Sequence, residues 1–206
     1  MGSPLFVSCS AYVSRVFETI EREIERSPAS QLNAYLLGAA HDGTYSRLHG
    51  TIRICQLGPE WPHLLRLTFE RLGRKSWIYP EGKRGVWVVE SCMRPPLDRQ
   101  FHAAGDRAAY ARGYFDAEGG IPRAPDSRFY IQFVQKDHAD LEEVRSYLVS
   151  LRVDCGRIHN PSRAVDPGYW RFYVRCRSWM RFATQVQSWH PRKRAILDRR
   201  LPDCFQ

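Results

Sequence analysis

The stretch Tyr110-Ala-Arg-Gly-Tyr-Phe-Asp-Ala-Glu-Gly-Gly120 reads as a helix that ends on an acid and then breaks at two glycines. A second, poorer copy lies upstream as Tyr35-Leu-Leu-Gly-Ala-Ala-His-Asp-Gly-Thr44. Ala34, Gly38 and Asp42 share one helix face, and so do Ala109, Gly113 and Ala117. Stripes of small residues let two helix backbones approach closely. That approach brings two helix C-terminal ends, and with them Asp42 and Glu118, to one point. Two carboxylates so close are costly unless a cation sits between them, and hard Mg²⁺ prefers carboxylate, water and phosphate oxygens. The copies are unequal: the acid follows its glycine by five residues at Gly113–Glu118 and by four at Gly38–Asp42.

Working outward, Val13, Val16, Phe17, Ile20 and Ile24 fall at helical spacing and predict an amphipathic helix over 10–26 that packs on the body. The first copy opens a helix over 32–42. It is followed by a strand at Thr51–Gln56, a helix from Pro59 to Leu72 stopped by Gly73, and strands at Ser76–Tyr79 and Val86–Glu90. Residues 94–105, with paired prolines, read as a linker. The second copy repeats the order: a helix over 106–117, a strand at Phe129–Gln135, a helix from Asp137 to Leu151 with Asp137 as N-cap, strands near 155–160 and 169–176, and a last helix over 178–189. The expected class is α/β (α+β), with two pseudo-symmetric αββαββα halves at 32–93 and 106–206 behind an N-terminal extension at 1–31.

The Tyr110–Gly120 segment closely resembles the LAGLIDADG signature of homing endonucleases, with Glu118 at the metal-binding acid and Gly119 closing the motif. The resemblance covers roughly residues 32–200. It implies a monomer in which each half offers one face of its sheet to duplex DNA and the two signature helices pack between the halves. It also implies hydrolysis of one phosphodiester per strand with Mg²⁺ or Mn²⁺ held by Asp42 and Glu118. The backbone carbonyl of Ala117 and the adjacent His41 are weaker candidates for the metal site. Gln132-Phe-Val-Gln-Lys136 resembles the strand end of some members, so Gln135 inherits a role in ordering water and Lys136 one of polar support. Gln56 matches Gln135 in the first half, but Leu57 stands where the lysine would be. Relatives place a further lysine beyond the last helix. Lys193 is that candidate. For Arg192, Lys193 and Arg194 simple phosphate contact is the favoured reading.

Alternation picks out the DNA-facing side chains. Arg171, Tyr173 and Arg175 share one strand face, Arg128, Tyr130 and Gln132 another, and Thr51 with Arg53 a third. Any half-buried sheet has a polar face. Here it carries Arg and Gln, which read guanine and adenine edges in the major groove. Arg157 and His159 join this set, and Arg47 and Arg123 are phosphate or base contacts in the first hairpins.

Composition sets the outer bounds. The 206 residues carry a net charge of +9, and 27 of the 31 basic residues are Arg. That balance suits a polyanion, although GC-rich coding or a hot habitat also favours Arg. The six cysteines form no C-x-x-C pair and read mostly as reduced core residues. No membrane span or signal peptide is evident, so an intracellular location is expected. Three readings stay open on this scaffold: an intron-encoded double-strand endonuclease, a nickase, and a non-cleaving DNA-binding protein or intron RNA maturase.

Overall fold

The computed structural model describes residues 9–93, 100–124 and 126–201, with side chains from Ser14 onward. Helix α1 (Cys9–Arg26) buries Val16, Ile20 and Ile24 against the body. Each fully buried isoleucine contributes roughly 1.5–3 kcal/mol. Val13 lies outside the described side chains. Glu23, on the same helix, accepts the Trp189 indole N–H at 2.8 Å and pairs with the Arg194 guanidinium at 3.1 Å. Helix α1 is therefore part of the folded body.

Helices α2 (Ala29–Ala39) and α4 (Ala104–Glu118) pack against each other along their length. Their crossing is reciprocal. A Cβ on Gly38 would overlap the Tyr110 carbonyl and reach 2.6 Å from the Tyr114 nitrogen. One on Gly113 would overlap the Tyr35 carbonyl and reach 2.8 Å from the Ala39 nitrogen. In both cases the clash is with the residues three before and one after the partner's glycine. The small-residue stripes are thus the helix–helix contact itself.

After α2 come β1 (Gly43–Ser46), β2 (Thr51–Leu57), α3 (Glu60–Arg71), β3 (Ser76–Glu81) and β4 (Val86–Ser91). They form an antiparallel sheet in the order β1-β2-β4-β3. Gly73, at φ +68°, ends α3 with its N–H on Glu70 O and Arg74 N–H on Phe69 O. Ile52, Ile54 and Val89 point into the core beneath α3, which leaves Arg53 and Glu90 on the opposite face. After α4 come β5 (Gly119–Gly120), β6 (Gln132–Gln135), α5 (His138–Ser150) and β7 (Trp170–Tyr173), with sheet order β5-β6-β7. Asp137 caps α5, its side chain accepting from the Ala139 and Asp140 amides; such a cap contributes about 1 kcal/mol.

The second half departs most from expectation. Residues 94–99 of the expected linker lie outside the described residues, and Ala104 and Gly105 already belong to the first turn of α4. The strand expected over 129–135 runs only over Gln132–Gln135, because β5 is two residues long and pairs only with Gln132 and Phe133; Ile131 still accepts the Val174 amide on the other side at 2.9 Å. Near 155–160 there are two isolated bridges, Cys155 to Val174 and His159 to Arg171. Four steps along one chain there face three along the other, so one extra residue bulges out and interrupts the ladder. The expected helix over 178–189 is a short α6 (Trp179–Arg181) that runs into a π-helical turn at Phe182–Val186 and stops at Gln187, φ +64°. A further helix, α7 (Pro191–Arg200), follows, with proline in its first turn. Among the described cysteines Cys155 alone is buried; Cys55, Cys92 and Cys176 are exposed and all four are free, while the Cys9 and Cys204 side chains lie outside the description. Among the described residues no helix is long and apolar enough to cross a membrane.

Candidate active site

The two signature helices end differently. α4 continues as α-helix to Glu118, whereas α2 tightens into a 3₁₀ turn over Ala40–Asp42. The tightening compensates for the missing residue. A 3₁₀ step rises about 2.0 Å against about 1.5 Å in an α-helix. Four steps with the last two in 3₁₀ geometry therefore advance about 7 Å, close to the five α-helical steps at Glu118. The two carboxylates come near enough for the charge on Asp42 to act on Glu118.

Their surroundings are matched. Gln56, near the end of β2, donates from its amide to Asp42. Gln135, the last residue of β6, bears on Glu118 in the same sense. Burial is the main cause that raises both carboxyls above their ordinary values, and repulsion from Asp42 adds to it at Glu118. Two half-buried carboxyls whose charged forms are disfavoured by burial and by like charge are relieved by a cation between them.

Lys193 stands beside the pair. It lies within α7, not beyond the last helix, and is 5% exposed. Its Nζ donates to the carbonyls of Phe115 at 2.6 Å and Asp116 at 2.9 Å at the negative end of α4, where the Phe115 oxygen also accepts the Gly119 amide. Burial lowers its pKa to about 8, against the pull of Asp116, Asp42 and Glu118. The neighbouring Arg192 is lowered too, by burial first and then by the positive charge of Arg123. Lys136, by contrast, is exposed.

His41 is turned away from this point. Its Nε2 is 2.9 Å from the Tyr110 hydroxyl, its Nδ1 is 3.5 Å from Asp140, and its ring packs on Tyr114. Asp116 occupies the corresponding place on α4. It accepts from the Tyr35 hydroxyl at 2.9 Å, from the Trp189 amide at 2.8 Å and from the Ser188 hydroxyl. Each residue lies three positions after its helix's glycine, and each meets the tyrosine three positions before the other glycine. His41 and Asp116 are therefore interhelical ties. Sequence reasoning passes over Asp116, although its spacing from Gly113 is the signal that finds it.

The two sheet faces are chemically distinct. In the second half Arg128, Arg157 and Arg175 are exposed, and Arg171 lies over the Tyr173 ring with its Nε 3.5 Å from His159. Tyr130 packs edge-on to Tyr173, and Gln132 is opposite Tyr173 in the ladder. In the first half Arg53 is held by Glu81 at 2.6 Å and approaches Glu90 at 3.9 Å. Thr51, expected on the open face, is 6% exposed, a short side chain on an inner strand overtopped by its neighbours. Arg47 and Arg123 are exposed in the turns that follow β1 and β5.

No protein-family model matches the chain, and no curated protein matches it. Solved structures do. The homing endonuclease I-DmoI in complex with DNA and Mn superposes with a TM-score of 0.56 at 18% identity, covering 78% of this chain and 98% of that one. The N-terminal LAGLIDADG domain of DUF199/WhiA gives 0.63 at 15%, covering 90% and 96%. Full-length DUF199/WhiA from Thermatoga maritima gives 0.65 at 15%, covering 88% and 66%. The chain has the LAGLIDADG fold.

On that fold the donor set suits a hard divalent cation. Among the described residues no three His, Cys, Asp or Glu side chains form a metal cluster. A cation between Asp42 and Glu118 would complete its shell with backbone oxygens, water or phosphate, which is the habit of Mg²⁺.

Proposed function

We propose that this chain is a site-specific endonuclease for duplex DNA that hydrolyses phosphodiesters with a divalent cation. The observation that carries the reading is the matched pair Asp42–Gln56 and Glu118–Gln135, meeting at the ends of α2 and α4 beside the buried Lys193. A cation bound there supplies an activated water and a counter-charge for the leaving oxygen. Asp42 and Glu118 hold it, with the Ala117 carbonyl as a further oxygen; Gln56 and Gln135 orient water; Lys193 offsets charge near the scissile phosphate. Lys136 is placed to support Gln135 from the solvent side. Arg123 and Arg192, close enough for the charge of one to act on the other, would accept a backbone phosphate between them. The DNA complex of I-DmoI is a structure of the same fold with nucleic acid bound.

In this reading the protein works inside the cell as a monomer, with halves at 32–93 and 106–206 straddling a long asymmetric site. A gene within an intron supplies its own test substrate, because the two flanking exon ends, joined, form the target. Purified protein incubated with that duplex and Mg²⁺ is expected to cut both strands, leaving 3′ overhangs. Intact strands at every protein concentration that shifts the DNA in a gel would replace the endonuclease with a binding protein; stronger retention of intron RNA than of duplex would replace it with a maturase.

The inequality of the two halves favours a nickase as the second reading. Lys193 hydrogen-bonds to carbonyls of α4, and in the first half Leu57 stands where Lys136 stands in the second. Unequal rates for the two strands would express that difference.

A further inference from the structure

The open face of the first-half sheet carries two carboxylates, which phosphate repels. In the ladder Arg53 lies opposite Glu90, and Glu90 opposite Trp77, so all three share one face of the sheet. Glu81 is on the same face, two and four residues along from Tyr79 and Trp77. Glu81 accepts from Arg53 Nη2 at 2.6 Å, and Glu90 accepts from the Tyr79 hydroxyl at 2.9 Å. The same face carries the hydroxyl side chains of Thr44 and Tyr79 and two exposed apolar groups, Leu57 at 74% and Trp77 at 48% exposure. The second-half face has the opposite character: Arg128, Arg157, Arg171 and Arg175 form no ion pair with any described carboxylate.

A carboxylate beside a polyanion loses binding energy unless it gains a donor. In the major groove the donors are the exocyclic amino groups of cytosine and adenine, while guanine O6 and thymine O4 are acceptors and repel it. Resting on the duplex-DNA reading above, we propose that Glu81 and Glu90 are specificity-determining residues that demand an amino group, cytosine foremost, in the half-site beneath the four-stranded sheet. The second half contributes most of the phosphate attraction and the first half contributes selection by exclusion. Arg53 keeps the two carboxylates in place and lowers the cost of holding them near phosphate.

The test is selection of bound duplexes from a randomised library by the full chain, by E81Q, by E90Q and by the double variant. Glutamine keeps the shape and both donates and accepts, so it no longer rejects guanine or thymine. The wild type is expected to enrich cytosine or adenine over their keto-bearing counterparts at one or two positions. The double variant is expected to flatten those positions by about five- to tenfold, the low end for a single base contact, with the other half-site unchanged. Its affinity for unselected DNA should rise. Preference profiles identical in all four proteins would overturn the proposal. So would loss of a guanine preference in the variants, since the carboxylates would then act only by aiming Arg53. A wild type that selects no duplex, while binding none at low salt, would instead overturn the DNA-binding reading itself.

Discussion

The end of α2 and the end of α4 reach the same point by different routes. α4 keeps five α-helical steps from Gly113 to Glu118, with Asp116 buried on the way. α2 has four steps from Gly38 to Asp42 and makes up the length in a 3₁₀ turn. Their interhelical ties match in position but not in kind: Tyr35 meets a carboxylate, Asp116, and Tyr110 meets an imidazole, His41. The difference teaches that the fold enforces where an acid must arrive more strictly than how many residues lead to it.

Removing the acids one at a time tests whether the two ends are functionally equal. Asp42→Asn and Glu118→Gln should each lower cleavage by a factor on the order of a thousand, as lost transition-state stabilisation of this kind does, with DNA binding retained. Following the two strands separately on end-labelled duplex shows whether each acid governs one strand or both. If Asp42→Asn cuts as fast as the wild type, the shortened end is a structural relic and the matched pair is no active site.

The crossing itself makes the next-largest prediction. Gly38→Val and Gly113→Val place branched side chains into backbone atoms of the opposite helix, so each should destabilise the protein by about 3 kcal/mol or more. Because the clashes are reciprocal, the two losses should agree within about 1 kcal/mol, read by urea unfolding. A large gap between them would show that the halves tolerate separation unequally.

That crossing is legible in the sequence because small residues at four-residue spacing strip a helix face of everything except its backbone, and such a face packs only against another like it. The acids are legible for a related reason, since a helix that ends on a carboxylate and then glycine fixes where the charge emerges. The second sheet is not: the bulge between Cys155 and His159 and the two-residue β5 depend on pairing across the chain, which alternation within one strand cannot report. The place of Lys193 is hidden as well. A lysine in a run with Arg192 and Arg194 looks solvated, and only the docking of α7 on the carbonyls of Phe115 and Asp116 buries it. Thr51 and Arg53 illustrate a further limit, because alternation assigns a face but not the carboxylates that arrive on it from β3 and β4.

Lys193 distinguishes the ends by charge, and its titration makes a smaller effect visible. Its ammonium is the form that offsets negative charge, so cleavage should fall as pH rises through about 8, the value to which burial lowers it. Lys193→Met should cut some ten- to a hundredfold more slowly, roughly the loss of one charge-stabilising group, and lack that bend. A wild-type rate that rises through the same pH would make the neutral amine a proton acceptor instead. Stability follows the opposite sense. A lysine whose folded pKa lies below its ordinary 10.5 contributes stability above that value and loses it as pH falls through about 8. The wild type should therefore weaken relative to Lys193→Met on going from high pH to neutral, measured by thermal melts without metal.

The smallest expected effects compare the sheet faces. Arg157→Ala and Arg175→Ala each remove an exposed guanidinium with no described carboxylate beside it. Each should reduce the slope of log affinity against log salt by about 1, the signature of one lost phosphate contact. Arg53→Ala should change the slope less, because Glu81 and Glu90 already neutralise that side chain, yet it should weaken binding, most at low salt, by freeing two carboxylates to repel DNA. Equal slopes for all three variants would mean that Arg53 leaves its acids on binding and that both faces grip phosphate alike.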